Sequence, residues 1–259
     1  MTIRQITDAI ERKAPLSLQE DYDNAGLQVG FPDTEVSGIL TCLDITEEVI
    51  DEAAETGCNL ILSHHPLLFR PLSCVSDRSW QQRCVVKALA KGIALYSAHT
   101  NLDNARGGVN FKIAEKIGLQ KLEWLEKREG QDAGSGLIGE LPQAEDAEAF
   151  IRRVKDLFGV EALRNTAAEG RKVRRVALCG GAGAFLMRNA ICSKADCFIT
   201  GEIHYHDFFE GEGMLLMELG HYESEQYTTQ LLREMVLQEF PDARIRVAKT
   251  FTNPITWTK

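Results

Sequence analysis

The sequence has no C-x-x-C pair: its seven cysteines, Cys42, Cys58, Cys74, Cys84, Cys179, Cys192 and Cys197, are odd in number and well spread. That spacing excludes a zinc knuckle or redox pair of this type and fits a reduced, cytoplasmic protein. No apolar run reaches the roughly 18 residues a membrane span needs, so no membrane partner is expected. The first residues, Met1 to Ala14, set Ile3, Ile6 and Ile10 along one helical side with Asp8 and Glu11 among the polar positions. A signal peptide would have an uninterrupted apolar core there. Positive charge is scarce as well: 29 Lys and Arg against 38 Asp and Glu give a net charge of -9. A global basic field for nucleic acid is thereby excluded, while a local patch for a phosphorylated small molecule is not. With 21 Gly and 7 Pro beside 44% hydrophobic residues, the 259-residue chain is neither collagen-like nor disordered and buries a core of one or two domains.

What is present follows a grammar that occurs twice. Val36 to Asp44 is strand-like, Glu47 to Thr56 helical, and Cys58 to Ser63 a second strand ending at His64-His65, a β-α-β unit. From Val173 the order returns: a strand to Cys179, a helix over Ala184 to Ser193, and a strand leading through Glu202 to His204 and His206. Each copy continues with a short strand, a polar tip and a helix: Gly92 to Ser97 before His99 and Asp103, and Met214 to Glu218 before His221 and Glu225. An internal duplication is the expectation; strand-helix-strand also recurs in any α/β protein. The polar, Gly-containing stretch Glu126 to Ser135 is the expected connection, giving a first repeat over 1–125 and a second over 126–259. The second would open as a strand at Gly136 to Gly139 and continue as a helix carrying Phe150, Val154 and Phe158.

All six histidines, His64, His65, His99, His204, His206 and His221, lie at or just beyond a predicted strand end. In open α/β sheets the carboxyl ends of the strands converge on one ligand crevice. His64 and His65 would point to opposite faces of a regular strand, but Pro66 breaks it and lets both imidazoles turn to a common space. A lone pair of this kind has a structural reading too. His221 and Glu225, four apart at a helix start, share one face, although the helix dipole by itself favours a Glu there. Asp103 follows a strand, where a turn or cap role is also open. Together, three imidazoles and two carboxylates exceed what one tetrahedral zinc takes and suit two open-sphere divalent ions with a carboxylate between them. His99 and His206 are the candidate catalytic residues, either as general acid/base groups or as partners orienting the ligands. Gly180-Gly181-Ala182-Gly183 could present N–H groups to a phosphate, but with no P-loop lysine, tight strand-helix packing is the expectation.

The motifs jointly resemble the Nif-three-like family of GTP cyclohydrolase I type 2 homologues. They are Asp23-Asn24-Ala25-Gly26-Leu27-Gln28-Val29-Gly30, Ser63-His64-His65-Pro66, His99-Thr100-Asn101-Leu102-Asp103, the Gly180 loop, Thr200-Gly201-Glu202 with Tyr205-His206, Gly220-His221-Tyr222-Glu223-Ser224-Glu225, and Asn253-Pro254-Ile255. Tyr22 stands where the family commonly has Trp, and Glu202 where it commonly has Asp. The resemblance implies two intertwined α/β repeats with mixed sheets flanked by helices, without the inserted third domain of longer relatives. It implies a dinuclear site ligated by His64, His65, Asp103, His221 and Glu225, and a homohexamer. Zinc, manganese and iron all accept such ligands.

The activity so implied is metal-dependent hydrolysis of a small, nucleotide-like substrate: activated water attacks C8 of guanine, the imidazole ring opens and formate leaves. Arg70 and Arg106 are the cations nearest in sequence to the ligand motifs, and a solvated surface role is the expectation for both. The alternative is a non-catalytic metal-binding or protein-partner-binding protein.

Overall fold

The computed structural model describes residues 1–258; residue 259, the last of the expected second repeat, lies outside the described residues. By packing, the chain forms two compact units, one from Met1–Ala105 with Thr228–Pro254 and the other from Arg106–Tyr227 with residues 255–258. The first unit opens with α1 (Ile3–Lys13), β1 (Gly26–Val29), β2 (Ile39–Cys42), α2 (Glu47–Glu55), β3 (Leu60–Ser63), α3 (Trp80–Ala90), β4 (Ala94–Ser97) and α4 (Thr100–Asp103). The second contains α5 (Val109–Ile117), β5 (Gln120–Lys127), β6 (Gly134–Asp146), α6 (Ala147–Phe158), β7 (Arg164–Asn165), β8 (Lys172–Cys179), α7 (Met187–Cys192), β9 (Cys197–Thr200), β10 (Leu215–Glu218) and α8 (His221–Glu225). The chain then returns to the first unit with α9 (Thr228–Glu239) and β11 (Ile245–Val247).

In the first unit the sheet order is β1-β4-β3-β2-β11, parallel except for β1. β2, β3 and β4 are buried at every position, as strands covered on both faces must be, which is why they read as unbroken apolar runs. Val49, Ile50 and Ala53 of α2 and Cys84, Val85 and Ala88 of α3 pack on Leu40, Ile61 and Leu95. α1 starts at a reciprocal Thr2–Gln5 capping box and buries Ile3, Ile6 and Ile10, the stripe expected from their spacing.

The second unit has the order β5-β6-β8-β9-β10-β7, in which β8, β9 and β10 are parallel and the others antiparallel to their neighbours. A parallel trio with an antiparallel strand beyond its third member thus occurs in both sheets, as β2-β3-β4 with β1 and as β8-β9-β10 with β7. The expected mixed α/β architecture, two mixed sheets flanked by helices, is what the molecule adopts. Phe150, Val154 and Phe158 are the buried face of α6.

One expectation is corrected. Glu126 to Ser135 does not join two units: Glu126 pairs with Ser135 and Lys127 with Gly134 across the β5–β6 hairpin, and the chain passes between units after Ala105 instead. Polar residues and glycine build hairpin turns and linkers alike, so composition there does not separate the two.

Candidate metal-binding site

In the first unit, Asp44, His65 and His99 follow the carboxyl ends of the adjacent strands β2, β3 and β4. Parallel register brings those ends side by side. His64, fully buried, has its Nδ1 2.8 Å from the Ala98 carbonyl oxygen. His65 Nδ1 lies 2.7 Å from Asp44 Oδ1, and His99 Nδ1 lies 2.7 Å from Asp23 Oδ1. A carbonyl or ionised carboxylate only accepts, so each Nδ1 carries a proton, and in the neutral form of the ring the lone pair is on Nε2. One ring nitrogen from each of His64, His65 and His99 lies within 4.8 Å of the other two. His64 Nε2 also faces Asp103 Oδ1 at 3.6 Å, beyond hydrogen-bond length but near the separation of about 3.4 Å that two donors have when each sits about 2.1 Å from one tetrahedral ion.

The supporting carboxylates are themselves held. Burial alone would push the Asp23 carboxyl up. Hydrogen bonds from His99, the Thr100 hydroxyl and the Asn24 N–H outweigh it and bring the pKa down to about 2. Burial opposes ionisation of Asp44 in the same way, and the hydrogen bonds from His65 and Thr252 again prevail, leaving it below the usual carboxylate range. The Thr252 hydroxyl donates to Asp44 Oδ2 at 2.9 Å, so the Asn253-Pro254 motif belongs to a segment that braces a histidine partner.

The second unit repeats the device. His221 Nδ1 is 2.7 Å from Glu202 Oε1, while its Nε2 is 3.1 Å from Oε2 of Glu225, which is 4% exposed. The Gly180–Gly183 loop serves this pair. Gly181 has φ +58°, and a Cβ there would overlap Glu225 Oε1. Gly183 sits against Cys179 and Thr200, where no side chain fits. The glycines are packing residues, as expected from the missing lysine.

His64, His65, His99 and Asp103 are therefore gathered in one unit, and His221 with Glu225 in the other. His206 is on an exposed 3-10 turn, its ring 5.2 Å from that of Tyr205, and belongs to no close donor group among the described residues. Arg106 is bound bidentately by Asp132 and lies over Phe111 and Trp124, a structural clamp, while Arg70 is exposed. Sequence reasoning missed Asp44 and Thr252 and gave Asp23 and Glu202 no role. Asp44 follows a strand end just as the histidines do, so the same rule extended to carboxylates finds it; Asp23 meets His99 only through a contact 76 positions long.

Parallel-strand sheets with tautomer-locked histidines at their carboxyl ends define a mixed α/β protein built to present imidazole and carboxylate donors, and the chain belongs to the Duf34/NIF3 (NGG1p interacting factor 3) family, matched over residues 1–254. Within it, the chain is 35% identical over 230 residues to the GTP cyclohydrolase 1 type 2 homolog of Clostridium acetobutylicum, covering 87% of this chain and 85% of that protein. It is 37% identical over 217 residues to the protein of the same name from Lactococcus lactis, with 82% of each covered. The crystal structure of a Bacillus cereus protein related to NIF3 superposes with a TM-score of 0.90 at 25% identity, covering 100% of this chain and 99% of that one.

Proposed function

We propose that this chain binds two divalent metal ions and uses them to hydrolyse a small nucleotide-like substrate, in the manner the name GTP cyclohydrolase 1 type 2 homolog gives to its relatives. The observation that carries this reading is the shared arrangement of His64, His65, His99 and His221: every Nδ1 is engaged by a carbonyl or carboxylate, so that Nε2 is the atom turned toward the other candidate ligands, Asp103 for His64 and Glu225 for His221. Imidazoles with purely structural roles need no such uniform orientation. The proposed ligands are His64, His65 and Asp103 from the first unit with His221 and Glu225 from the second. Divalent ions so held supply Lewis acidity that lowers the pKa of water towards neutrality.

The chain's own residues do the rest. Asp44 and Glu202 orient His65 and His221, and Glu225, having two oxygens where an imidazole offers one nitrogen, would be the ligand able to serve both ions. His99, with Nδ1 on Asp23, can take or give a proton at Nε2. The reading extends to a homohexamer, which light scattering at the 28.9 kDa monomer mass would overturn, and to a reduced, cytoplasmic setting, for which seven free thiols speak.

Metal analysis of the purified protein, followed by turnover of a nucleotide panel with and without chelator, tests the proposal. Chelator-sensitive turnover is expected. Metal-loaded but inert protein favours the second reading, a non-catalytic metal- or partner-binding protein, to which the family's description as an interacting factor points.

A separate prediction concerns Asp44→Asn. The amide cannot impose the Nδ1–H tautomer on His65 as a carboxylate does, so metal affinity measured by calorimetry is expected to fall about 10- to 100-fold. Unchanged affinity would show that His65 is not a ligand.

A further inference from the structure

The Asp23–Gly30 segment does more than hold His99. Asn24 Nδ2 donates to the Leu68 carbonyl at 2.7 Å, the Leu68 N–H donates to Gln28 Oε1 at 3.0 Å, and Gln28 Nε2 donates to the Asn24 carbonyl at 2.6 Å. Both backbone polar groups of one loop residue, Leu68, are clamped by two side chains of a single motif. The next residue is Phe69. Its ring stands 5.9 Å from that of His99 at 86° and 6.3 Å from that of Tyr22 at 64°, both edge-to-face contacts. Phe69 is nevertheless 40% exposed and Tyr22 65% exposed.

A clamp that fixes two aromatic rings of which 40% and 65% stay exposed adds little to the core. Exposed aromatic surface of this kind, set beside convergent polar groups, is the composition of a ligand pocket wall. Aromatic faces and edges accept any planar heteroaromatic ring, with little regard to its substituents. Arg70, the residue after Phe69, is exposed and cationic, suited to an anionic substituent on such a ring.

We propose that Phe69 and Tyr22 form a ring-binding wall, positioned by Asn24 and Gln28, that receives the planar heteroaromatic part of the substrate beside His99. The proposal rests on reading His64, His65 and His99 as part of the reactive site, and it adds the class of molecule and the residues that recognise it.

The test is calorimetric binding of GTP, ATP, CTP and inorganic triphosphate to the full chain, with metal content measured on the same preparations. Phe69→Ala is expected to weaken all three nucleotides about 5- to 150-fold, the range for loss of one base–aromatic stack. Phe69→Trp should restore binding, and triphosphate, which has no ring, should be unaffected. Phe69→Leu keeps apolar packing without a π face, so it reads the same loss if the alanine variant folds poorly; Tyr22→Ala is expected to weaken nucleotides in parallel. Three outcomes overturn the wall: no nucleotide bound by the unmodified protein up to about 1 mM, equal nucleotide affinity in Phe69→Leu, or a change in oligomer mass in Phe69→Ala with nucleotide affinity unmoved, which makes these rings a contact between copies of the chain. Protein that takes up no divalent metal yet binds nucleotides through Phe69 overturns the metal centre and leaves the wall standing. Metal-loaded protein that binds no nucleotide does the reverse.

Discussion

Glu225→Gln is expected to lose at least one of the two proposed divalent ions, and to lose more metal than His99→Ala. The glutamine has the same shape, so packing around this 4%-exposed side chain is preserved while its charge is removed. Two dications held close together, as proposed, would then repel with less compensation, and an amide bridges poorly. Affinity for the weaker ion should fall by at least the 100-fold that marks the upper end for loss of a ligand's supporting partner.

The size of the stability change with and without metal separates this account from a purely structural one. In chelated protein the His221 ring, 3.1 Å from Glu225 Oε2, remains as a partner of the carboxylate, so Glu225→Gln should shift the melting temperature less than it does in the presence of metal. With metal at 100 to 1,000 times its dissociation constant, the parent gains about 3–4 kcal/mol, which is about 10 °C for a domain of this size, and the variant forfeits much of that. Two ions bound at full occupancy in Glu225→Gln, or a melting shift of the same size with and without metal, would show that the bridge is elsewhere.

How much of this was legible in the sequence depends on how far apart the interacting residues lie. His64-His65 and His221 with Glu225 are local patterns, so spacing and strand ends were enough to single them out. The strand ends were legible because β2, β3, β4 and β9 are buried at every position and so read as short apolar runs closed by polar residues. The partners that fix the tautomers were not legible. Asp44 reaches His65 across 21 positions and Thr252 reaches Asp44 across 208, separations at which no periodicity survives. β11 was missed for a related reason: three residues are too few for an alternation, and its place beside β2 depends on the chain returning after the whole second unit. The Glu126 to Ser135 turn was misread because the residues that favour a turn also favour a linker.

The second large effect is expected at Gly181, where the backbone requires the absence of a side chain twice over. Its φ of +58° is a left-handed conformation that costs an L-residue about 1–2 kcal/mol, and a Cβ would overlap Glu225 Oε1 while standing 3.4 Å from His221 Nε2. The peptide cannot retreat. Its N–H donates to Ser224 Oγ at 3.0 Å, and its carbonyl accepts from the Gly201 N–H at 2.8 Å and the Thr200 hydroxyl at 3.1 Å. The carboxylate must move instead, adding an overpacking cost of about 1–3 kcal/mol.

Gly92 provides the control. It has φ +65°, and an added Cβ there would meet nothing within 4 Å, so Gly92→Ala bears the conformational strain alone. Gly181→Ala should melt about 5–15 °C below the parent, and Gly92→Ala by only the smaller part of that. Metal analysis carries the decisive comparison: Gly181→Ala should lose metal because its methyl group displaces Glu225, and Gly92→Ala should keep the parent's content. Equal metal content in the two variants, with Gly181→Ala folded, would mean that the carboxylate position set by this loop is not the one that binds the ions.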